Sequence, residues 1–229
     1  MSSKADSWLQ TTLGYQFNNR HLLQQALTHR SCPGDNNERL EFLGDAVLDV
    51  VISEVVFRSH ANAPEGDLSR LRASLVKDTS LAELSSSLGL GNYLILGGGE
   101  RKSGGHRRES ILADALEAIF GAVYLDAGFE AARGVIERAF GDRLTDLPSV
   151  EELRDPKTRL QEWLQARALG LPQYELAGVS GKAHQQKFEV SCSVKDGKTV
   201  TTGSGTTRRN AEQESAERML LSLAGSDTS

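Results

Sequence analysis

The sequence predicts an all-α N-terminal domain followed by a small α+β domain of order α-β-β-β-α. Three observations predict it. Residues 1–144 carry apolar residues at helical spacing almost throughout. From Asp155 the pattern changes to short runs of period two, closed by a last helical stretch. Between them, Thr145 to Arg154 is polar, contains proline and has no strong period, which marks residues 145–154 as a linker.

Helix-period patterns recur at Leu22–Leu27, Leu40–Phe57, Leu68–Leu88, Ile111–Leu125 and Ala131–Leu144. In the first long stretch Leu40, Leu43, Val47, Val50, Val51 and Val55 form the expected core stripe, and Glu38, Glu41, Asp45 and Asp49 run beside it. Breakers end two of these patterns, at Ala61–Gly66 and Gly89–Gly91, and Gly97–Gly105 reads as a flexible loop. Lys102-Ser103 within it follows Arg101 where a phosphate-binding P-loop needs glycine, which excludes that motif. In the second domain Asp155-Pro156 reads as an N-cap followed by proline at the first helical position, opening a helix to about Ala168. Strands are expected at Gln173–Ser180, Gln186–Val194 and Thr199–Ser204, with a hairpin turn at Asp196-Gly197. The middle strand alternates Phe188, Val190, Cys192 and Val194 with polar residues. The last helix begins near Thr207 and turns Ala211, Ala216, Met219, Leu220 and Leu223 inward. The second domain thus spans residues 155–224, and residues 225–229 are expected to fray.

The totals exclude several classes. No run approaches the roughly 18 apolar residues of a membrane span, and Met1–Trp8 lacks a signal-peptide core. Cys32 and Cys192 are the only cysteines, so neither a disulfide framework nor a Cys-based zinc site is expected, and a cytoplasmic location is. The five histidines lack metal-ligand spacing. The net charge is −5, unevenly divided: residues 1–154 carry 16 Lys and Arg against 22 Asp and Glu, residues 155–224 carry 10 against 8. The second domain is therefore the better place for an anionic partner.

Four carboxylates carry the chemistry: Glu41 and Asp45 in the segment Glu38–Ala46, Asp114 and Glu117 in Ser110–Ala118. Spacings of three and four put each pair on one helix face, about 5–6 Å apart at Cβ. Both stripes are embedded in apolar residues. Facing each other, they would make a hard, oxygen-rich pocket suited to magnesium or manganese. An isolated acidic pair is ordinarily a solvated face, and Arg39 or Arg108 could neutralise these carboxylates without any metal.

Asn37-Glu-Arg-Leu-Glu-Phe-Leu-Gly-Asp-Ala46 resembles the signature of the ribonuclease III family, and Leu27-Thr-His-Arg-Ser31 the segment before it. Arg107–Glu117 is similar to the family's second catalytic segment, and residues from about Asp155 to Leu223 resemble a double-stranded RNA-binding domain. The resemblance implies a helical endonuclease domain, an α-β-β-β-α double-stranded RNA-binding domain, and a homodimer that cuts both strands of duplex RNA to leave short 3′ overhangs. Precursor ribosomal and messenger RNA are the implied substrates. Glu41, Asp45, Asp114 and Glu117 match the essential metal-site carboxylates, Glu38 and Glu65 two secondary acidic positions, and Phe42 an aromatic of the dimer interface.

Hydrolysis of an anionic phosphodiester needs a cation to neutralise it and a way to make hydroxide near pH 7. One divalent metal does both, and a second, about 4 Å away, can stabilise the leaving oxygen. Glu41, Asp114 and Glu117 are expected as ligands, and Asp45 as a ligand or as the group that orients the attacking water. Expected products carry 5′-phosphate and 3′-hydroxyl ends. RNA contacts are expected from Thr158, Arg159, Gln161 and Glu162 on the first helix of the second domain, His184 in its loop, and Arg208 and Arg209 at the start of the last helix. Asn210 replaces a third basic position often found there. Arg107 and Arg108 are candidate phosphate contacts in the first domain. The rival reading is a non-catalytic, dimeric double-stranded RNA-binding protein.

Overall fold

The computed structural model describes residues 2–147, 149, 154–182, 186–194 and 199–226. It divides into two compact units, Met1–Pro148 and Ser149–Ser229. Among the described residues the first unit is helical: α1 (Ser2–Leu13), α2 (Arg20–Ala26), α3 (Glu38–Ser59), α4 (Glu65–Val76), α5 (Asp78–Ser87), α6 (Gly98–Lys102), α7 (Glu109–Ala127) and α8 (Phe129–Phe140), with single 3-10 turns between some of them.

Helix α7 is the axis of this unit. Ile111, Leu112, Ala115, Leu116, Ala118, Ile119, Phe120 and Val123 are all buried, so it is apolar nearly all round, as a central helix must be. Helix α3 crosses it at closest approach where two glycines meet. A Cβ on Gly44 would lie 1.8 Å from the Glu117 carbonyl oxygen, and one on Gly121 would lie 2.2 Å from that of Leu40. Neither position has room for a side chain. Helix α5 is fixed to α7 by Ser85 Oγ, which donates to the Leu112 carbonyl at 2.9 Å inside the core.

Three expectations change in this unit. The single helical pattern Leu68–Leu88 is two helices, because Lys77 is extended (φ −62°, ψ 148°) and turns the chain. No glycine or proline announces that break. The expected flexible loop Gly97–Gly105 is instead a helical turn, α6, followed by a 3-10 turn. The Arg108–Glu100 ion pair (2.9 Å) and the hydrogen bond from Gly97 N–H to Ser31 Oγ (2.9 Å) tie it down. Val50, expected in the core, is 56% exposed. The buried face of α3 is Leu40, Gly44, Val47, Leu48, Val51, Ile52 and Val56, rotated from the expected stripe because contact with α7 follows the glycine.

The second unit has helix α9 (Pro156–Ala166), strands β1 (Gln173–Ser180), β2 (Lys187–Ser193) and β3 (Val200–Gly205), and helix α10 (Arg208–Ser226). The strands form one antiparallel sheet in the order β1-β2-β3. Leu160 and Leu164 of α9, Cys192 and Val194, and Ala216 and Met219 of α10 make its core. Asp155 caps α9, its carboxylate accepting from Lys157 N–H at 2.8 Å. A reverse turn closes that helix: Leu169 N–H donates to Leu164 O and Ala168 N–H to Gln165 O, and Ala168 carries the left-handed φ of 55° that such turns require. The hairpin turn expected at Asp196-Gly197 and the last three residues of the expected frayed tail lie outside the described residues.

Candidate active site

The Gly44–Gly121 crossing decides where the carboxylates go. Glu41 lies one turn before Gly44 on α3, and Glu117 one turn before Gly121 on α7. Bringing the backbones together therefore stacks the two acidic turns face to face. Carboxylate oxygens of Glu41, Asp114 and Glu117 lie within 4.8 Å of one another, each residue half-buried. Asp45 is exposed and does not complete that trio, but of the neighbouring charges its own acts most strongly on Glu117.

The electrostatics are those of a crowded anionic site. Burial, followed by the charges of Asp45, Glu41, Asp114 and Asp78, pushes Glu117 up to about 8. Glu41 is raised by burial and by Asp114, and Asp114 by burial and by Asp78. Asp45, although exposed as a residue, is raised by partial desolvation of its carboxylate and by Asp49. Carboxylates so crowded either hold protons or hold a cation, and three oxygen donors at this spacing suit a hard divalent ion. The donor set therefore fits a divalent metal.

The arginines that might have neutralised the site do not do so. Arg108 pairs with Glu100, and Arg39 is exposed. Two groups that the residue pattern did not single out are present instead. Asp78, on the first turn of α5, adds a further negative charge felt by Asp114 and Glu117. Arg30 pairs with Glu38 at 3.3 Å, and its charge pulls against the upward shift of both Glu41 and Asp114. The segment carrying Arg30 is pinned: Ile95 N–H donates to Leu27 O (2.8 Å), His29 N–H to Ile95 O (3.0 Å) and Ser31 N–H to His29 Nδ1 (3.1 Å). No signal marks Asp78 in the residue order: it lies inside what reads as one helical pattern, and nothing there says that α5 begins at this point beside α7.

The remaining expected residues fall as follows. Glu38, at the start of α3, is next to the site through Arg30 and adds to the charge on Glu41. Glu65 opens α4, is exposed, and accepts from Ser69 Oγ at 2.8 Å. It is not one of the groups perturbing the trio. Arg107 and Arg108 are exposed on the 3-10 turn before α7 and at its N-cap. Phe42 is 79% exposed on α3, where Val50 and Phe57 are also exposed, so this helix shows apolar side chains to solvent as well as to the core.

In the second unit Thr158, Gln161 and Glu162 are exposed on α9 and Arg159 is half-buried. Arg154 pairs with Glu162 at 2.7 Å. Arg208 and Arg209 are both exposed, and Arg208 Nε donates to Glu212 at 2.9 Å. The same Glu212 accepts from Lys157 Nζ at 2.7 Å, which links α9 to α10. His184 lies outside the described residues.

Comparison with known proteins agrees with this arrangement. The family model described as ribonuclease-III-like matches residues 19–144, and that of the double-stranded RNA-binding motif matches residues 156–223. Ribonuclease 3 of Alkalilimnicola ehrlichii is 54% identical over 215 residues, covering 94% of this chain and 94% of its own. Ribonuclease 3 of Coxiella burnetii is 54% identical over 212 residues, covering 93% and 91%. The crystal structure of the ribonuclease III nuclease domain from Campylobacter jejuni superposes with a TM-score of 0.56 at 48% identity, covering 59% of this chain and 95% of that one. A helical nuclease unit with a carboxylate trio at a glycine crossing, followed by a helix-flanked three-stranded sheet, places this chain in the ribonuclease III family.

Proposed function

We propose that this chain, an endoribonuclease of double-stranded RNA by family, cuts by magnesium-assisted in-line attack of water, with manganese able to substitute. One observation carries the metal reading: three carboxylates from two helices bring oxygens within 4.8 Å, and burial together with the neighbouring carboxylates pushes Glu117 up to about 8. Glu41, Asp114 and Glu117 would hold the cation. When bound, it supplies a positive charge for the phosphodiester and acidifies a water molecule.

The chain's own residues do the rest. Asp45, exposed beside Glu117, accepts a hydrogen bond from the attacking water and aims its lone pair at phosphorus. A new oxygen–phosphorus bond forms opposite the 3′ oxygen, whose bond to phosphorus breaks. The attacking water releases one proton to bulk solvent, the 3′ oxygen takes up one, and the products carry 3′-hydroxyl and 5′-phosphate ends. The second unit supplies the hold on duplex RNA by shape, through α9 and the exposed Arg209 at the start of α10.

The exposed Phe42, Val50 and Phe57 support a homodimer through α3. Among the described residues no helix is long and apolar enough to cross a membrane. Processing of precursor ribosomal and messenger RNA in the cytoplasm is the setting we propose. The test is a labelled RNA duplex incubated with the protein, with and without magnesium. Cutting that requires the metal, and that Glu117→Gln abolishes while duplex binding persists, supports the reading. Retention without cutting at every magnesium concentration would make the chain a binding protein instead.

A further inference from the structure

Arg30 sits on a rigid segment that its own contacts do not account for. Its ion pair with Glu38 is open to water, with side chains 69% and 51% exposed, and exposed pairs of this kind contribute little to stability. Yet its backbone is pinned on both sides by the hydrogen bonds to Ile95 and within His29–Ser31. A mobile surface arginine needs no such pedestal. Its guanidinium has five donors, and the contact with Glu38 uses one.

We propose that Arg30 is a phosphate-binding residue of the cleavage site, gripping a backbone phosphate of the duplex beside the carboxylate trio. The proposal rests on the metal-assisted reading of that trio. Glu38 then serves as the carboxylate that aims the guanidinium, one helical turn before Glu41. A divalent cation in the trio neutralises the carboxylates, weakens their pull on Arg30 and leaves its free donors for an anion. Planar bidentate geometry makes arginine better suited than lysine to that anion. Two other arginines of this unit are committed: Arg108 pairs with Glu100, and Arg72 donates to Ser53 Oγ at 3.1 Å and lies 3.8 Å from Asp49.

The test compares Arg30→Ala and Arg30→Lys in the full chain, each with Glu117 intact for cleavage and with Glu117→Gln for binding. Cleavage of a labelled duplex in magnesium is expected to fall about tenfold or more in kcat/KM for Arg30→Ala, with partial recovery in Arg30→Lys. In the non-cleaving background, Arg30→Ala should lower the slope of log K against log salt by about one per engaged chain, and Arg30→Lys should not. The third readout is Mn²⁺ binding without RNA. Removing a cation beside the trio should leave Mn²⁺ affinity unchanged or raised, whereas damage to the site's structure would lower it. An unchanged salt slope, or Mn²⁺ binding that weakens with Arg30→Ala, overturns the proposal. Failure of the parent chain itself to bind Mn²⁺ is a separate result and would sink the metal reading first.

Discussion

Glu117 is the group whose replacement tests the site most directly, because its effects on stability and on activity have opposite signs. In the metal-free protein its carboxyl is pushed up to about 8 from 4.5. A carboxyl raised in the folded state binds more protons folded than unfolded. Stability from this group is therefore complete below about pH 4.5 and is lost as pH rises towards 8. At about 1.4 kcal/mol per pH unit, the loss at pH 7 is at most about 3.5 kcal/mol. Glu117 is only half-buried, so water and mobile ions reduce this to about 1–2 kcal/mol. Glu117→Gln cannot ionise and escapes the loss. Urea unfolding in EDTA, run on both proteins from pH 4 to 8, should give stability curves that converge near pH 4.5 and separate steadily above it. The variant should be the more stable, by about 1–2 kcal/mol at pH 7, though it cuts no RNA. Magnesium should stabilise the parent chain and close the gap, by about 2.7 kcal/mol at a hundredfold excess over its dissociation constant. A difference between the two proteins that does not change with pH would refute the crowded-carboxylate argument.

Three further outcomes follow from single residues. Gly44→Ala puts a methyl group 1.8 Å from the Glu117 carbonyl. It should destabilise the first unit by about 3 kcal/mol or more in a melt and abolish cleavage, because α3 and α7 must separate; a stable, active variant would show that the helices can part without dispersing the trio. Ala168→Gly relieves the left-handed φ of 55° at the end of α9 and should stabilise the second unit by about 1 kcal/mol. Slower amide exchange in β2 would register that gain, and faster exchange would contradict it. Phe42→Glu places a charge on the exposed apolar face of α3 and should shift the sedimentation mass from dimer to monomer; an unchanged dimer would move the interface elsewhere.

How much of this was legible in the residue order depends on which physical signal each feature leaves. The two-unit plan was legible, because a change of hydrophobic period from helical to two survives in any window of ten residues. The carboxylate pairs were legible as pairs, because spacings of three and four guarantee a shared helix face. What the order could not show is which face of α3 turns inward. Val50 and Val51 are equally apolar, and only contact with α7 makes one exposed and the other buried. That choice is made by Gly44, whose lack of a side chain lets Glu117's backbone approach, and a glycine inside a helix reads in sequence only as a weak position. The same limit hides Asp78 and Arg30. Each lies outside the two acidic segments, and each reaches the site because a separate contact brings its segment in: Ser85 with Leu112 for α5, Ile95 and Gly97 for the stretch around Arg30. The carboxylates of such a site can therefore be found from local spacing, but the charges that tune it depend on packing. A substitution at Ser85 or Gly97, neither a carboxylate nor a cation, should consequently disturb cleavage more than its own loss of stability explains.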